Sequence, residues 1–234
     1  MTVKIKTVIL ISADAEWQAV KGLFPTAEYG ITPYGEWFNL LIGVETLPVM
    51  QAGWGKSASG GAAQYAIDRW QPELIVNLGT CGGFAGRVER GEVILAKRTV
   101  IYDIIEMMDD EADCIAKRSV NLDLSWLKKP FPFEVKHSVL VSGDRDIQPG
   151  EIPSLIEKYG AVAADWESGT LTWVCARNGV KCLILRGVTD LVGPKGGEAY
   201  GDYGLFVKNT REVMKGLVEG VGEWVKGEDW GNKI

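Results

Sequence analysis

Three carboxylates stand where apolar, strand-like runs meet turns or helices: Glu16 after the run from Val8 to Ala13, and Glu167 and Asp190 around the stretch AADWESGTLTWVCARNGVKCLILRGVTD from Ala163 to Asp190. In open α/β sheets ligands bind outside the carboxyl ends of strands, so an acid there can exchange a proton with a substrate. Each position also has a structural reading. A first-turn acid complements the helix dipole, and a turn Asp closes on its own backbone. Position alone leaves both standing. The chain has a single histidine, His137, so histidine metal sites and Ser-His or Cys-His catalysis have almost nothing to work with. Acid-base chemistry here must come from carboxylates.

The elements that would hold these acids can be read in order. Thr7 to Ser12 is β-branched and apolar, a first strand, followed by a helix from Asp14 to Leu23 with Trp17, Val20 and Leu23 on one side. Glu16 falls in its first turn. Tyr34 to Gln51 reads as a meander of two or three short strands. Gly53-Trp54-Gly55-Lys56-Ser57 resembles the end of a phosphate-binding P-loop, but the required first glycine falls at Met50. A glycine turn opening a helix from Ser57 to Trp70 describes it better. Glu73 to Leu78 predicts a buried strand running into a turn, Gly79 to Phe84, where small residues around Thr80, Cys81 and Gly82 would let backbone donors touch a substrate. A tight structural turn is the alternative. Cys81 has no evident base to make it a nucleophile.

Gly91 to Tyr102 and Lys136 to Ser142 read as further strands. Glu106 to Asp113 is a solvated acidic loop whose Met107 and Met108 could line a pocket or an interface. Gly143 to Ile147 is a loop at a strand's end. The stretch beginning at Ala163 predicts a helix with Asp165 and Glu167 in its opening turn, ended by Asn178-Gly179. A central strand from Val180 to Val188 follows, with Asp190 just past its carboxyl end. Gly193 to Gly204 is a glycine-rich segment able to act as a lid. A helix from about Tyr203 to Lys226 follows, with a frayed tail from Gly227.

With 234 residues, 46% hydrophobic and 24% charged, the chain fits one α/β domain. Its net charge of −6 lacks the basic footprint of a protein for nucleic acid or anionic membrane, which favours a soluble protein acting on a small molecule. Cys81, Cys114, Cys175 and Cys182 form neither a CxxC pair nor a tight framework, which predicts free thiols in the cytoplasm.

Five short motifs in order, GWGKSA at 53–58, NLGTCGG at 77–83, VSGD at 141–144, ADWES at 164–168 and LRGVTD at 185–190, resemble the nucleoside phosphorylase and nucleosidase superfamily. Within it they look most like the 5′-methylthioadenosine/S-adenosylhomocysteine nucleosidases, from Val8 to Val221. The resemblance implies a three-layer α/β/α sandwich with a mixed, partly parallel central sheet. It implies that Asp190 protonates N7 of the purine, that Glu16 activates water, that Glu167 binds the ribose 2′ and 3′ hydroxyls and that Arg186 lies near the water. Asp165 flanks Glu167 in the same motif. Thr189 takes the place of a serine beside the catalytic acid, Ile147 offers backbone to the base, and Tyr200 closes over the ligand. Trp166 replaces a methionine under the ribose and Asp146 replaces an aromatic on the base. Both bear on which base or 5′ group fits.

Cleaving an N-ribosidic bond leaves positive charge on the sugar and negative charge on the departing purine. One acid must reach the base while a carboxylate steadies water across the ring, as in inverting glycosidases. Phosphorylases instead need arginines for phosphate. One would stand at Asn77, and the early loop offers Ala13-Asp14-Ala15-Glu16 in place of the other, so water is the expected nucleophile. A phosphorylase and a catalytically silent nucleoside-binding protein are the competing readings. The resemblance further implies a small-molecule purine nucleoside as substrate, a homodimer, and neither metal nor organic cofactor.

Overall fold

The computed structural model describes residues 5–225. In chain order these form β1 (Thr7–Ile11), α1 (Asp14–Leu23), β2 (Gly30–Thr32), β3 (Gly35–Ile42), β4 (Glu45–Gln51), α2 (Gly55–Trp70), β5 (Leu74–Phe84) and β6 (Val93–Ile101). Then follow α3 (Glu111–Ala116), β7 (Val120–Asn121), β8 (Lys136–Ser142), α4 (Ile152–Tyr159), β9 (Ala161–Asp165), α5 (Ser168–Arg177), β10 (Lys181–Gly193), β11 (Gly196–Gly197) and α6 (Tyr203–Val225).

All eleven strands join one mixed sheet. β1 runs parallel to β4 and β5, and β5 runs parallel to β10 over eleven residue pairs. β6 pairs antiparallel with β10 and parallel with β8, which pairs in turn with β9. β9 returns antiparallel to Gly82 and Gly83 at the far end of β5, so the pairings β5-β10-β6-β8-β9 close on themselves. The carboxyl ends of β5, β9 and β10 are thereby drawn together.

Alternating side chains sort the core into two sides. Val8, Leu10, Ile75 and Ile184 face α2 and α5, while Ile9, Ile11, Val76 and Leu185 face α1 and α6. This is the expected three-layer arrangement. Gly60 lets α2 and α5 approach, since a Cβ there would lie 2.7 Å from Thr170. Gly187 does the same for α6 on β10, with Val213 at 2.3 Å from such a Cβ. α6 therefore rests directly on the strand that carries Asp190.

Several boundaries differ from the sequence reading. Gly79 to Phe84 is not a turn; it continues β5, because Gly82 and Gly83 are paired on both sides and a Cβ at Gly83 would collide with Val88 and Val188. Asp190 lies within β10, which runs on to Gly193 after a register shift between Val188 and Asp190. Asp165 ends β9 and Glu167 is the N-cap of α5, so neither sits inside the helix's opening turn. α2 starts two residues earlier than Ser57, α3 takes up the end of the acidic loop, and the segment from Gly193 contains the hairpin strand β11. The expected end of the last helix at Lys226 and the tail from Gly227 fall outside the described residues.

Candidate active site

Glu16 is 3% exposed and bridges two elements. Its Oε2 accepts from the Ala13 N–H at 3.1 Å, closing the first turn of α1, and its Oε1 accepts from the Thr80 N–H at 2.6 Å and the Thr80 hydroxyl at 2.8 Å. The carboxylate is thus fixed against the middle of β5. Gly79 beside it must be small: a Cβ there would lie 3.0 Å from both Glu16 Oε1 and Arg186 Nη1.

Arg186, from β10, is among the largest fully buried side chains. Its Nε donates to Asp165 Oδ2 at 2.8 Å, and its Nη atoms donate to the side chain and carbonyl of Asn77. Asn77 in turn donates through Nδ2 to the Leu10 carbonyl at 2.8 Å. Burial works against the guanidinium charge, but Asp165, Glu16 and Glu167 outweigh it and raise its pKa. The oxygens of Asp165 are taken up within the protein, by the Ser142 hydroxyl at 2.5 Å, the Ser168 hydroxyl and Arg186.

Glu167 is 5% exposed and accepts from the Gly55 N–H, at the start of α2, at 3.1 Å. Desolvation, then the neighbouring Asp165 and Glu16, push its pKa up to about 8 against the opposing pull of Arg186 and Gly55. Burial and its acidic neighbours thus favour the protonated carboxyl. Trp166, half-buried beside it, packs on Trp54 with ring centroids 4.7 Å apart and the rings tilted by 31°. Cys81 is buried, and desolvation together with Asp165 holds its thiol well above the usual range, so it is no thiolate nucleophile.

Asp190 stands at the other end of this group. It accepts from the Thr189 hydroxyl at 2.9 Å, and desolvation raises its pKa, with Glu198 and Asp146 adding to the rise and Thr189 opposing it. Asn209 of α6 donates to the Thr189 carbonyl at 2.7 Å, pinning the backbone beside the bulge. Ile147 is buried, its Cδ1 2.8 Å from where a Cβ on Gly82 would sit. The Tyr200 hydroxyl donates to the Ile147 carbonyl at 2.7 Å. Burial, Asp146 and Asp190 push the Tyr200 pKa up to about 12, which keeps that donor proton in place. Asp146 itself is exposed.

The predicted residues thus fall into two groups, Glu16, Thr80, Arg186, Asp165, Glu167 and Trp166 in one and Thr189, Asp190, Gly82, Ile147, Tyr200 and Asp146 in the other, with Cys81 between them, its carbonyl accepting from the Thr189 hydroxyl at 3.4 Å. Sequence reasoning missed the parts played by four residues. Trp54, 65% exposed, extends the aromatic surface beside Glu167. Asn77 is an arginine acceptor, and Ser142 and Ser168 orient Asp165. The motifs containing Trp54, Asn77, Ser142 and Ser168 were visible, but which neighbour each side chain serves depends on long-range pairing. A separate cleft of about 530 Å³ opens between α6 and the loop before β6, lined by Arg90, Phe133, Asn209 and Glu212. It shares only Thr189 with the candidate residues, and none of Glu16, Glu167 and Asp190 lines it.

The described residues contain no group of three or more potential ligands from His, Cys, Asp and Glu arranged for a metal ion, and no helix among them is long and apolar enough to cross a membrane.

Comparison with known proteins agrees with this architecture. The family model described as Phosphorylase superfamily matches residues 35–221. A 5′-methylthioadenosine/S-adenosylhomocysteine nucleosidase of Buchnera aphidicola is 22% identical over 162 residues, 61% of this chain and 66%, just under two thirds, of that relative's length. Among solved structures, the apo 5′-methylthioadenosine nucleosidase of Arabidopsis thaliana superposes with a TM-score of 0.77 at 19% identity, covering 95% of this chain and 97% of that one. Futalosine hydrolase of Helicobacter pylori gives 0.74 at 17% identity, covering 94% and 98%. At these identities the structural likeness is one of fold.

Proposed function

We propose, from the premise that the chain belongs to the phosphorylase superfamily, that it is a purine nucleosidase hydrolysing the N-ribosidic bond of a 5′-modified adenosine such as methylthioadenosine or S-adenosylhomocysteine. The observation that carries this reading is the gathering of Glu16, Glu167 and Asp190, all buried, around the carboxyl ends of β5, β9 and β10. In this reading Asp190 protonates N7 of the purine as the bond lengthens. Its raised pKa supports that role, because a general acid must hold its proton near the working pH. Glu16 takes a proton from the attacking water. Glu167 holds the ribose 2′ and 3′ hydroxyls, and Trp166 lies under the sugar.

Water is favoured over phosphate by the state of Arg186. Its guanidinium is committed to Asp165 and Asn77, and both it and the Glu16 carboxylate, which repels an anion, crowd Gly79. Arg186 then acts by holding Asp165 and Asn77 in place behind the site. Thr189 steadies Asp190, while Ile147, Asp146 and Tyr200 define the base end.

The same reading makes the chain one domain that works as a homodimer in the cytoplasm. The fully displayed Met107 and Met108, 87% and 94% exposed, are its candidate contact with the partner. The deciding experiment incubates the purified protein with methylthioadenosine, adenosine and inosine, with and without phosphate, and separates the products. Free base and free sugar without phosphate are expected. Release only with phosphate would make it a phosphorylase, and binding without turnover would make it a silent relative.

A further inference from the structure

The N-terminus of α2 has no cap of its own: Trp54 occupies the N-cap position and offers no side-chain acceptor. Its first two N–H groups go instead to carboxylates from distant parts of the chain. Gly55 donates to Glu167 at 3.1 Å, and Lys56 donates to Asp144 Oδ1 at 2.7 Å. Asp144 lies in the loop after β8, so it caps the helix from outside. The contact is tight. A Cβ on Gly55, whose φ is +83°, would lie 2.8 Å from Asp144 Oδ1.

The same loop is secured a second time. Asp103, after β6, accepts from the Lys56 ammonium at 2.6 Å and from the Asp144 N–H at 2.9 Å. The Lys56 ammonium also lies 4.0 Å from Asp144 Oδ2. Three segments that are far apart in sequence are thus tied around the one peptide, Gly55, whose N–H meets Glu167. None of these links touches Asp190 or Glu16.

We propose that Asp144, Lys56 and Asp103 form a positioning brace for Glu167, with Asp144 as its central positioning residue. The brace sets where the Gly55 N–H stands and so fixes the direction of the Glu167 carboxyl that meets the ribose diol. This inference rests on the nucleosidase reading, in which Glu167 binds the 2′ and 3′ hydroxyls. Loss of the brace leaves the acid and base of the reaction in place but lets Glu167 drift, and small displacements of a positioning contact cost rate steeply.

The test crosses a variant with a substrate change. Asp144→Ala and Asp144→Asn are compared with the unaltered protein on methylthioadenosine and on its 2′-deoxy counterpart, which lacks one hydroxyl that Glu167 would hold. Asp144→Ala is expected to lower kcat/KM on the order of tenfold for the ribonucleoside and far less for the deoxy compound. Asp144→Asn retains an acceptor for the Lys56 N–H and is expected to restore the ribonucleoside rate to within about threefold. Equal losses on both substrates, or no loss on either, overturn the brace. Thermal melts of both variants separate unfolding from mispositioning. If the unaltered protein cleaves neither nucleoside, calorimetric binding of the same pair reads the same discrimination without turnover. If it neither cleaves nor binds them, the nucleosidase reading fails and this inference with it.

Discussion

Glu16, Asp165, Glu167 and Arg186 lie in a part of the molecule where each charged group is held by regular elements: Glu16 by Thr80 of β5, Arg186 by Asp165 of β9 and Asn77 of β5, Glu167 by the first peptide of α2. Asp190, Asp146 and Tyr200 lie in the other part, along a bulged strand, an exposed loop and the turn after a short hairpin. There Asp190 takes one side-chain hydrogen bond, from its own neighbour Thr189, and Asp146 faces solvent. The first region has its geometry over-determined. The second has its chemistry set mainly by desolvation, which a few substitutions can alter. In the proposed site, the groups assigned to the sugar are each held by contacts from distant elements, and those assigned to the base by fewer and more local ones. Departures such as Asp146 can therefore be accommodated at the base end without rebuilding the buried cluster.

The comparison is sharpened most by removing one acid from each region. Asp190→Asn and Glu16→Gln should each lower turnover of the nucleoside by about 10²- to 10⁴-fold, with the melt staying close to the unaltered protein for Asp190→Asn and falling for Glu16→Gln, whose carboxylate is tied into the buried cluster. An Asp190→Asn protein that kept most of its turnover would remove the general acid from the mechanism.

Stability should divide the two regions just as strongly. Arg186→Met leaves Asp165 buried without its cation, and breaking a buried pair in this way costs about 3–5 kcal/mol. Urea denaturation should show a loss of that order. Asp146→Ala, at an exposed position, should fall within about 0.5 kcal/mol of the unaltered protein. Comparable losses for the two would mean that the base-side loop is as deeply built in as the charge cluster.

The pH dependence of stability offers a third test. Glu167 has a folded pKa of about 8 against an ordinary value of 4.5, so between those values the folded state holds a proton that the unfolded state has lost. Raising the pH through that window must then destabilise the fold, with no further change from this group above about 8. Asp190 contributes with the same sign, since its pKa is also raised. Glu167→Gln should flatten the fall in Tm between pH 5 and 8, measured by calorimetry at constant ionic strength. An unchanged slope would mean that Glu167 ionises normally and that the like-charge crowding around Arg186 is relieved in another way.

Much of the rigid region was legible in the sequence. The helix from Asp14 to Leu23 and the strand from Lys136 to Ser142 have the boundaries that their periodicity predicts, because local pattern and burial agree there. Gly79 to Gly83 misled for a physical reason. Glycine clusters ordinarily mark turns, but here they let Arg186, Glu16, Ile147 and Val188 crowd against a strand, and that crowding comes from long-range pairing. The extension of β10 through Asp190 was hidden in the same way, by a bulge that only its partner β5 reveals. The three acids could be named from position and motif. That Thr80 holds Glu16, Asn77 holds Arg186 and the α2 N-terminus holds Glu167 could not be read, because those contacts span 64 to 112 residues of sequence.

The smallest expected effect tests how adjustable the base end is. Tyr200→Phe removes the donor to the Ile147 carbonyl but keeps the ring, which is 43% exposed. The bond lost is a single part-buried one between neutral groups, so its net cost should be about 1 kcal/mol. That corresponds to a change in kcat/KM of no more than about fivefold, with most of it in KM if the bond serves only to close the turn over the ligand. Steady-state kinetics on methylthioadenosine and inosine would measure it. A loss approaching that of Asp190→Asn would place the Tyr200 hydroxyl in the chemistry itself, and the base end would then be as tightly determined as the cluster around Arg186.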